Sequence, residues 1–373
     1  METADTLAPL GFGFMRLPLT DADDPTAIDI DKCCELVDIF MDAGFTYFDT
    51  ARGYHNGQSE AALRRALVER YPRDAFTVAT KLPAWLAKNA EHARAMFDKS
   101  LRELGIDYFD YYLLHNLGED LTQCFEDFDL WSFCAQMKAE GKIRNFGFSI
   151  HDNAEELEKV LDAHPDVDFV QLQINYVDWE SDIIQSRKCY EVCRKRGLPV
   201  VIMEPVKGGT LVKLPEPVAA VLREAEPGAP IASWALRFAG SLPGVIAVLS
   251  GMNTPEMVAE NAAIMRDGVP LTPEEYEVID RARAVLADIP GVPCTDCRYC
   301  VKGCPEGVRI NTIMQSLNIY DQMGDVHRAQ ENYDWNASAG KASQCIQCGA
   351  CEAVCPQHID IIAQLERATE LFE

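Results

Sequence analysis

The ten residues FTYFDTARGY, Phe45 to Tyr54, decide the fold. An apolar run ending in Asp49 reads as a short buried strand, and a polar loop carrying Tyr54 follows at once. Runs of this kind recur from Leu10 to about Gly251: LGFGFM from Leu10, FTVAT ending at Thr80, FDYYLL ending at Leu114, NFGFS ending at Ser149, FVQLQ ending at Gln173, VVIM ending at Met203 and VIAVLS ending at Ser250. Between them lie amphipathic segments. Ser59 to Tyr71 starts on a Ser59-Glu60 cap and puts Leu63, Ala66 and Leu67 on one face, and Glu91 to Leu104 stops at Gly105. Short strands alternating with helices predict parallel strands with crossover helices. Eight such runs predict a closed (β/α)8 TIM barrel rather than an open sheet.

In such a barrel the strand ends converge on one mouth. The residues there are Asp49, Tyr54 in the loop beyond it, Lys81 and His115. Singly, each has an ordinary explanation: a capping Asp, a solvated Lys, a core His. Together they form a coherent acid. A phenol with pKa near 10 gives up its proton reluctantly at neutral pH unless a neighbouring ammonium stabilises the phenolate. Lys81 is placed to do this for Tyr54, Asp49 to hold Lys81 charged, and His115 to orient a carbonyl oxygen or share the proton relay.

The C-terminal part has a different signature. Cys294, Cys297, Cys300, Cys304 and Pro305 form a C-x2-C-x2-C-x3-C-P run, repeated at Cys345, Cys348, Cys351, Cys355 and Pro356. That spacing binds 4Fe-4S clusters, the fourth cysteine of each run reaching the other cluster. Cys294, Cys297, Cys300 and Cys355 are then expected on one cluster, and Cys345, Cys348, Cys351 and Cys304 on the other. Structural zinc, usually bound by two separated pairs, would leave two cysteines of each run surplus. The boundary falls at IPGVP, Ile289 to Pro293, after a helix expected to start at Thr272-Pro273. The expected domains are therefore 1–288 and 289–373. Helical spacing over Ile310 to Met323 and His358 to Phe372, in place of hairpins, makes the second one look like an α-helical ferredoxin-like module.

Composition narrows the partners. With 59 acidic against 34 basic residues the net charge is −25, which argues against nucleic acid and anionic lipid. No stretch approaches the ~20 uncharged apolar residues of a membrane span. The opening METADTLAPLGFGF lacks a basic region followed by an apolar one, so a cytoplasmic setting is expected, where thiols stay reduced. Cys33, Cys34, Cys124, Cys134, Cys189 and Cys193 then read as small buried apolar groups.

The stretches FDTARGY (Asp49, Tyr54), ATK (Lys81) and YYLLH (His115) resemble the aldo/keto reductases in order and spacing, over roughly residues 8 to 265. The whole chain resembles the subgroup with a ferredoxin-like tail. The resemblance implies a reductase that moves hydride from a nicotinamide to the carbonyl of a small-molecule substrate, with Tyr54 as proton donor. It also implies that Ser149 and Gln171 hold the nicotinamide carboxamide and that Glu260 and Asn261 contact the adenine end. There are departures. Ile150 and His151 follow Ser149 where the family commonly has an Asn, and Glu204 replaces the aromatic platform for the nicotinamide ring. Gly251 and Met257 fall where a Lys and an Arg usually hold the 2′-phosphate of NADPH. A phosphate without a basic partner binds poorly, so NAD(H) is favoured over NADP(H), unless Lys207 or Arg266 compensates.

Hydride moves two electrons together and a 4Fe-4S centre passes one. Joining them needs a flavin or a substrate that tolerates a radical. No G-x-G-x-x-G loop marks one, but a flavin needs no motif to sit in a barrel mouth or to arrive on a partner. Three functions are open on the sequence: an NADH-linked carbonyl reductase, a reductase fed through its clusters by ferredoxin or a flavoprotein, and an inactive barrel serving as an electron carrier or redox sensor. Trp85, the stretch from Asn116 to Asp120, Trp179 and GGTLVKLPEP are expected as walls of the substrate pocket.

Overall fold

The structure is a computed structural model, and it describes residues 3–118 and 121–373. Eight parallel strands close a barrel in sequence order: β1 Leu10–Gly13, β2 Tyr47–Asp49, β3 Thr77–Leu82, β4 Phe109–Leu117, β5 Ile143–Ile150, β6 Phe169–Gln173, β7 Val200–Met203 and β8 Val245–Ser250. β8 pairs back onto β1 through Leu10 and Val248. The interior is filled by alternate residues of these strands, among them Tyr47, Ala79, Leu113, Phe169, Val201 and Leu249. Gly147 permits the close approach of β5 to β6, because a Cβ there would lie 2.3 Å from the Phe169 carbonyl oxygen.

Two strands run further than their apolar letters suggest. β3 continues to Leu82 and β4 to Leu117, so Lys81 and His115 lie within strands rather than just after them. The helix after Tyr54 also departs from expectation. An α-helix at Ser59–Leu63 passes into a π turn at Arg64–Val68, and no side chain caps it. Ser59 instead donates to the Phe14 carbonyl at 2.8 Å, and Glu60 accepts from Arg52 at 2.9 Å. The other barrel helix named above spans Ala90–Leu104, capped by Asn89 and closed by Gly105 at φ 68°.

By compactness the chain divides into Met1–Val206 with Ala232–Thr272, and Lys207–Ile231 with Pro273–Glu373. Helix Pro273–Ala287 therefore groups with the C-terminal unit, where it packs on helix Glu216–Ala225. That division differs from 1–288 and 289–373, which follow the break at Ile289.

The second unit is helical, and among the described residues no strand follows Ser250. Helices Ile310–Met323, Val326–Asn336 and Ile361–Phe372 build its core from Ile313, Leu317, Ala329, Tyr333, Leu365 and Ala368. The last helix starts at Ile361, capped by the carboxylate of Asp360, rather than at His358. Asn318 clamps the break before the first cysteine run, accepting from Val292 N–H at 2.6 Å and donating to Val292 O at 2.8 Å. No helix of the described residues is long and apolar enough to cross a membrane.

Candidate active site and cluster cavities

β2, β3 and the loop after β2 bring Asp49, Lys81 and Tyr54 together. Lys81 is 2% exposed and Asp49 3%, and the ammonium donates to Asp49 Oδ1, to Thr50 O at 2.9 Å and to the Tyr54 hydroxyl at 3.3 Å. Burial acts to depress Lys81, but the charges of Asp49 and Tyr54 outweigh it and hold the ammonium above its ordinary range. Burial pushes Asp49 upward against the pull of Lys81. Tyr54 differs from the sequence expectation. Lys81 pulls its phenol down, yet burial wins and the net shift is upward. Tyr54 is therefore a neutral donor at rest.

His115, from β4, meets the Tyr54 ring edge-on at 5.6 Å between centroids and the Trp85 ring at 5.2 Å. Burial, reinforced by the charge of Lys81, holds its imidazole well below the ordinary histidine range, so it is neutral. Its Nδ1 is shielded and without a partner.

Of the residues expected at a nicotinamide, Ser149 and Gln171 are register partners across β5 and β6. Ser149 is buried and its Oγ accepts from Asn116 N–H at 2.8 Å. Gln171 donates to Asp49 Oδ2 at 3.4 Å, and its Oε1 is buried with no partner. That orphaned acceptor beside the acid fits an amide donor such as the carboxamide of a nicotinamide. On helix Pro255–Asp267, Asn261 turns inward to Ser250 Oγ at 3.2 Å while Glu260 is exposed. Gly251 and Met257 are exposed, and Arg266 is engaged by Asp267 at 2.6 Å. Trp85 is 38% exposed beside His115, whereas Trp179 is 6% exposed and packs on Tyr190 and Phe238. Trp179 is a packing anchor, not a pocket wall. Of the expected wall from Asn116 to Asp120, Glu119 and Asp120 lie outside the described residues.

Sequence reading missed the frame of the Tyr54 loop. Glu60, fully buried, accepts from Arg52 and from Thr80 Oγ1 at 2.8 Å, locking the loop to β3. His55 locks it on the other side: Leu17 N–H donates to its Nε2 at 3.2 Å and its Nδ1 meets Pro25 O at 2.8 Å. Sequence reading also missed the roles of Gln173, the last residue of β6, and of Asn175 and Asp178 just beyond it. The only available signal was their polarity immediately beyond an apolar run.

In the second unit two cavities form. One is lined by Cys294, Cys297, Cys300 and Cys355 and the other by Cys304, Cys345, Cys348 and Cys351. Each thus draws three thiols from one run and one from the other. The thiols ring a void: no group of three cysteine, histidine or acidic side chains among the described residues is arranged for a single metal ion. Both runs curl alike. Asp296 and Arg298 in the first, and Gln347 and Gly349 in the second, take left-handed φ of 55°, 60°, 56° and 75°. A one-turn helix then follows each, Tyr299–Lys302 and Ala350–Ala353. Alternating backbone hands turn N–H groups inward, as sites for anionic clusters require, and Gln347 N–H already donates to Cys345 Sγ at 3.4 Å. The donor chemistry and the cavities fit two iron-sulfur clusters.

A barrel with a buried Lys-Asp pair at its mouth, followed in sequence by a helical four-plus-four cysteine module, defines the class of protein. The profile of the aldo/keto reductase family matches residues 9–284, and that of the 4Fe-4S dicluster domain residues 293–359. The chain belongs to the aldo/keto reductase family, as an oxidoreductase with a C-terminal 4Fe-4S dicluster domain. It is similar to the NADH-specific methylglyoxal reductase of Escherichia coli, 25% identical over 70% of this chain and 90% of that one. It is also similar to an aldo-keto reductase of Mycolicibacterium smegmatis, 29% identical over 64% of this chain and 78% of that one. Among solved structures, an aldo-keto reductase of Bacillus halodurans in its holo form shares the fold, with TM-score 0.60 and 24% identity over 76% of this chain and 96% of that one.

Proposed function

We propose that the barrel, within a functional domain of residues 1–288, reduces the carbonyl of a small molecule with Tyr54 as proton donor. The observation that carries this is the buried Asp49–Lys81–Tyr54 chain beside a neutral His115. Lys81 stabilises the phenolate left when Tyr54 gives its proton to the carbonyl oxygen, and Asp49 keeps Lys81 charged and aimed. His115, with Nδ1 shielded, orients the carbonyl through Nε2. Ser149, Gln171, Asn261 and Glu260 are the residues that would hold a nicotinamide cofactor, which when bound supplies hydride. NAD(H) is favoured over NADP(H), because Gly251 and Met257 offer no cation to a 2′-phosphate. The name of the Escherichia coli relative agrees with that choice.

In residues 289–373, Cys294, Cys297, Cys300 and Cys355 would hold one 4Fe-4S cluster, and Cys345, Cys348, Cys351 and Cys304 the other. Such clusters supply one-electron transfer. Their cavities favour a second reading of the same barrel, in which ferredoxin or a flavoprotein is the electron source.

The experiment is anaerobic turnover of methylglyoxal by iron-loaded protein. NADH should support it, Tyr54→Phe should abolish it, and Cys297→Ala should spare it in protein that folds. Turnover retained in Tyr54→Phe sinks the proton-donor role. Turnover with reduced viologen but not NADH, lost in Cys297→Ala, selects the partner-fed reading.

A further inference from the structure

The proposed chemistry leaves one built feature of the mouth unused. His151 follows β5 directly, and its backbone N–H donates to Leu117 O at 3.3 Å, beside the strand end that carries His115. Its Nδ1 lies 3.1 Å from Gln173 Oε1. Gln173 in turn donates through Nε2 to Asp178 Oδ2 at 3.0 Å. Asp178 is 4% exposed and is itself fixed by Asn175, whose Nδ2 donates to Oδ2 at 2.7 Å and whose Oδ1 accepts the Asp178 N–H at 2.9 Å.

This chain dictates a tautomer. A carboxylate only accepts, so the Gln173 amide nitrogen faces Asp178 and its carbonyl faces His151, which must donate from Nδ1. The neutral ring then carries its lone pair on Nε2, which has no hydrogen-bond partner among the described residues. An exposed histidine has no structural need of three residues to fix its lone pair, since ordering such a side chain costs entropy. The surroundings choose what that lone pair meets. The chain carries a net charge of −25, which disfavours an anionic substrate. Trp85 offers an aromatic face beside His115, suited to the C–H side of a hydroxylated carbon chain.

We propose that His151 accepts a hydrogen bond, through Nε2, from a hydroxyl group near the substrate carbonyl, with Gln173 and Asp178 as positioning residues. The favoured substrates are then uncharged hydroxy-carbonyl compounds rather than simple or acidic carbonyls. This rests on the reductase reading above.

The test compares lactaldehyde with propionaldehyde on iron-loaded protein under anaerobic conditions, with NADH or reduced viologen. One neutral hydrogen bond predicts a KM for lactaldehyde about tenfold lower. His151→Phe and Gln173→Met should erase that difference, raising the KM for lactaldehyde about tenfold to that of propionaldehyde. A purely structural role would shift both aldehydes alike. Equal KM values in the wild type, or a preference that survives His151→Phe, overturn the proposal. If neither aldehyde turns over, the reductase reading fails, and the proposal is judged by 15N spectra of histidine-labelled protein, assigned with His151→Phe. A neutral ring protonated on Nδ1 and perturbed by hydroxyacetone but not by acetone supports it. An Nε2–H tautomer, or no response to hydroxyacetone, overturns it.

Discussion

Replacing Lys81 by Met tests the centre of the mechanism, and its effect can be sized from one distance. The ammonium lies 3.3 Å from the Tyr54 hydroxyl. Once the phenol has given up its proton, unit charges at that separation attract by roughly 5 kcal/mol at an effective dielectric of about 20. A transition state that realises half of this loses about 2.5 kcal/mol in the variant. One that realises all of it loses the full 5, so kcat should fall between roughly a hundredfold and several thousandfold. KM should stay nearly constant, because Lys81 acts on Tyr54 and not on the substrate. The variant has a second defect. It strands Asp49, 3% exposed, without its cation, and breaking a buried pair costs about 3–5 kcal/mol. The double variant Asp49→Asn/Lys81→Met removes both charges and should recover much of that stability with no return of activity. The assay is anaerobic aldehyde consumption at saturating reductant, beside urea unfolding of each protein. Adding Lys81→Met to Tyr54→Phe should do no further harm to kcat, since the two act as a unit. A folded double variant keeping more than a tenth of wild-type kcat refutes the reasoning.

Four further outcomes follow from the same geometry. Glu60→Ala strips Arg52 and Thr80 of their buried partner and should cost about 3–5 kcal/mol in urea unfolding; a loss below 1 kcal/mol contradicts the account of the Tyr54 loop. Gly147→Ala would force a Cβ against the Phe169 carbonyl oxygen, parting β5 from β6 at a cost of about 3 kcal/mol, and an unchanged unfolding midpoint would disprove that close approach. His115 is held neutral by burial, then by Lys81. Below about pH 6.5 the unfolded chain gains a proton there that the native one refuses, so stability should fall with falling pH until the native ring also titrates. Unfolding midpoints between pH 5 and 8 should show a shallower slope in His115→Gln, and identical slopes would contradict the assignment. Cys355→Ser should damage the cluster served by Cys294, Cys297 and Cys300 and spare the other, halving iron and sulfide; loss confined to the Cys345 side would reverse the pairing.

The barrel was legible because its strands are buried on both faces and therefore appear as continuous apolar runs. VVIM and VIAVLS coincide with β7 and β8 to the residue. The ends of β3 and β4 were not legible, because Lys81 and His115 are polar letters inside strands, and only their partners in the fold justify burying them. Ser59-Glu60 has the letters of a helix start, yet both side chains serve tertiary bonds instead, and nothing local distinguishes the two uses. Helix Val326–Asn336 was missed because only Ala329 and Tyr333 are buried along it, too thin a stripe to register as a period. The upward net shift of Tyr54 was equally invisible, since proximity to Lys81 can be guessed from spacing but the depth of burial cannot. His151 stood out as a departure from the family, while its fixed tautomer needed Gln173 and Asp178, which are distant in sequence.

The site residues also separate proton chemistry from the source of electrons. Everything that handles a proton is tied down: Lys81 by Asp49 and Thr50, and the Tyr54 loop by Glu60 and His55. The positions that would hold a nicotinamide are tied down at one end only. Gln171 beside Asp49 presents a buried orphan acceptor, whereas Gly251 and Met257 present no cation and Glu204 stands at φ 55° after β7 where the family has an aromatic ring. A carboxylate under a nicotinamide ring would favour the oxidised, cationic form over the reduced one. It would thus strengthen the driving force for hydride to leave and tighten the grip on the oxidised cofactor relative to the reduced one. Glu204→Tyr should therefore slow NADH-driven turnover and tighten NADH binding relative to NAD+, and it should leave viologen-driven turnover unchanged. Equal losses with both reductants would show that Glu204 serves the carbonyl side of the site instead.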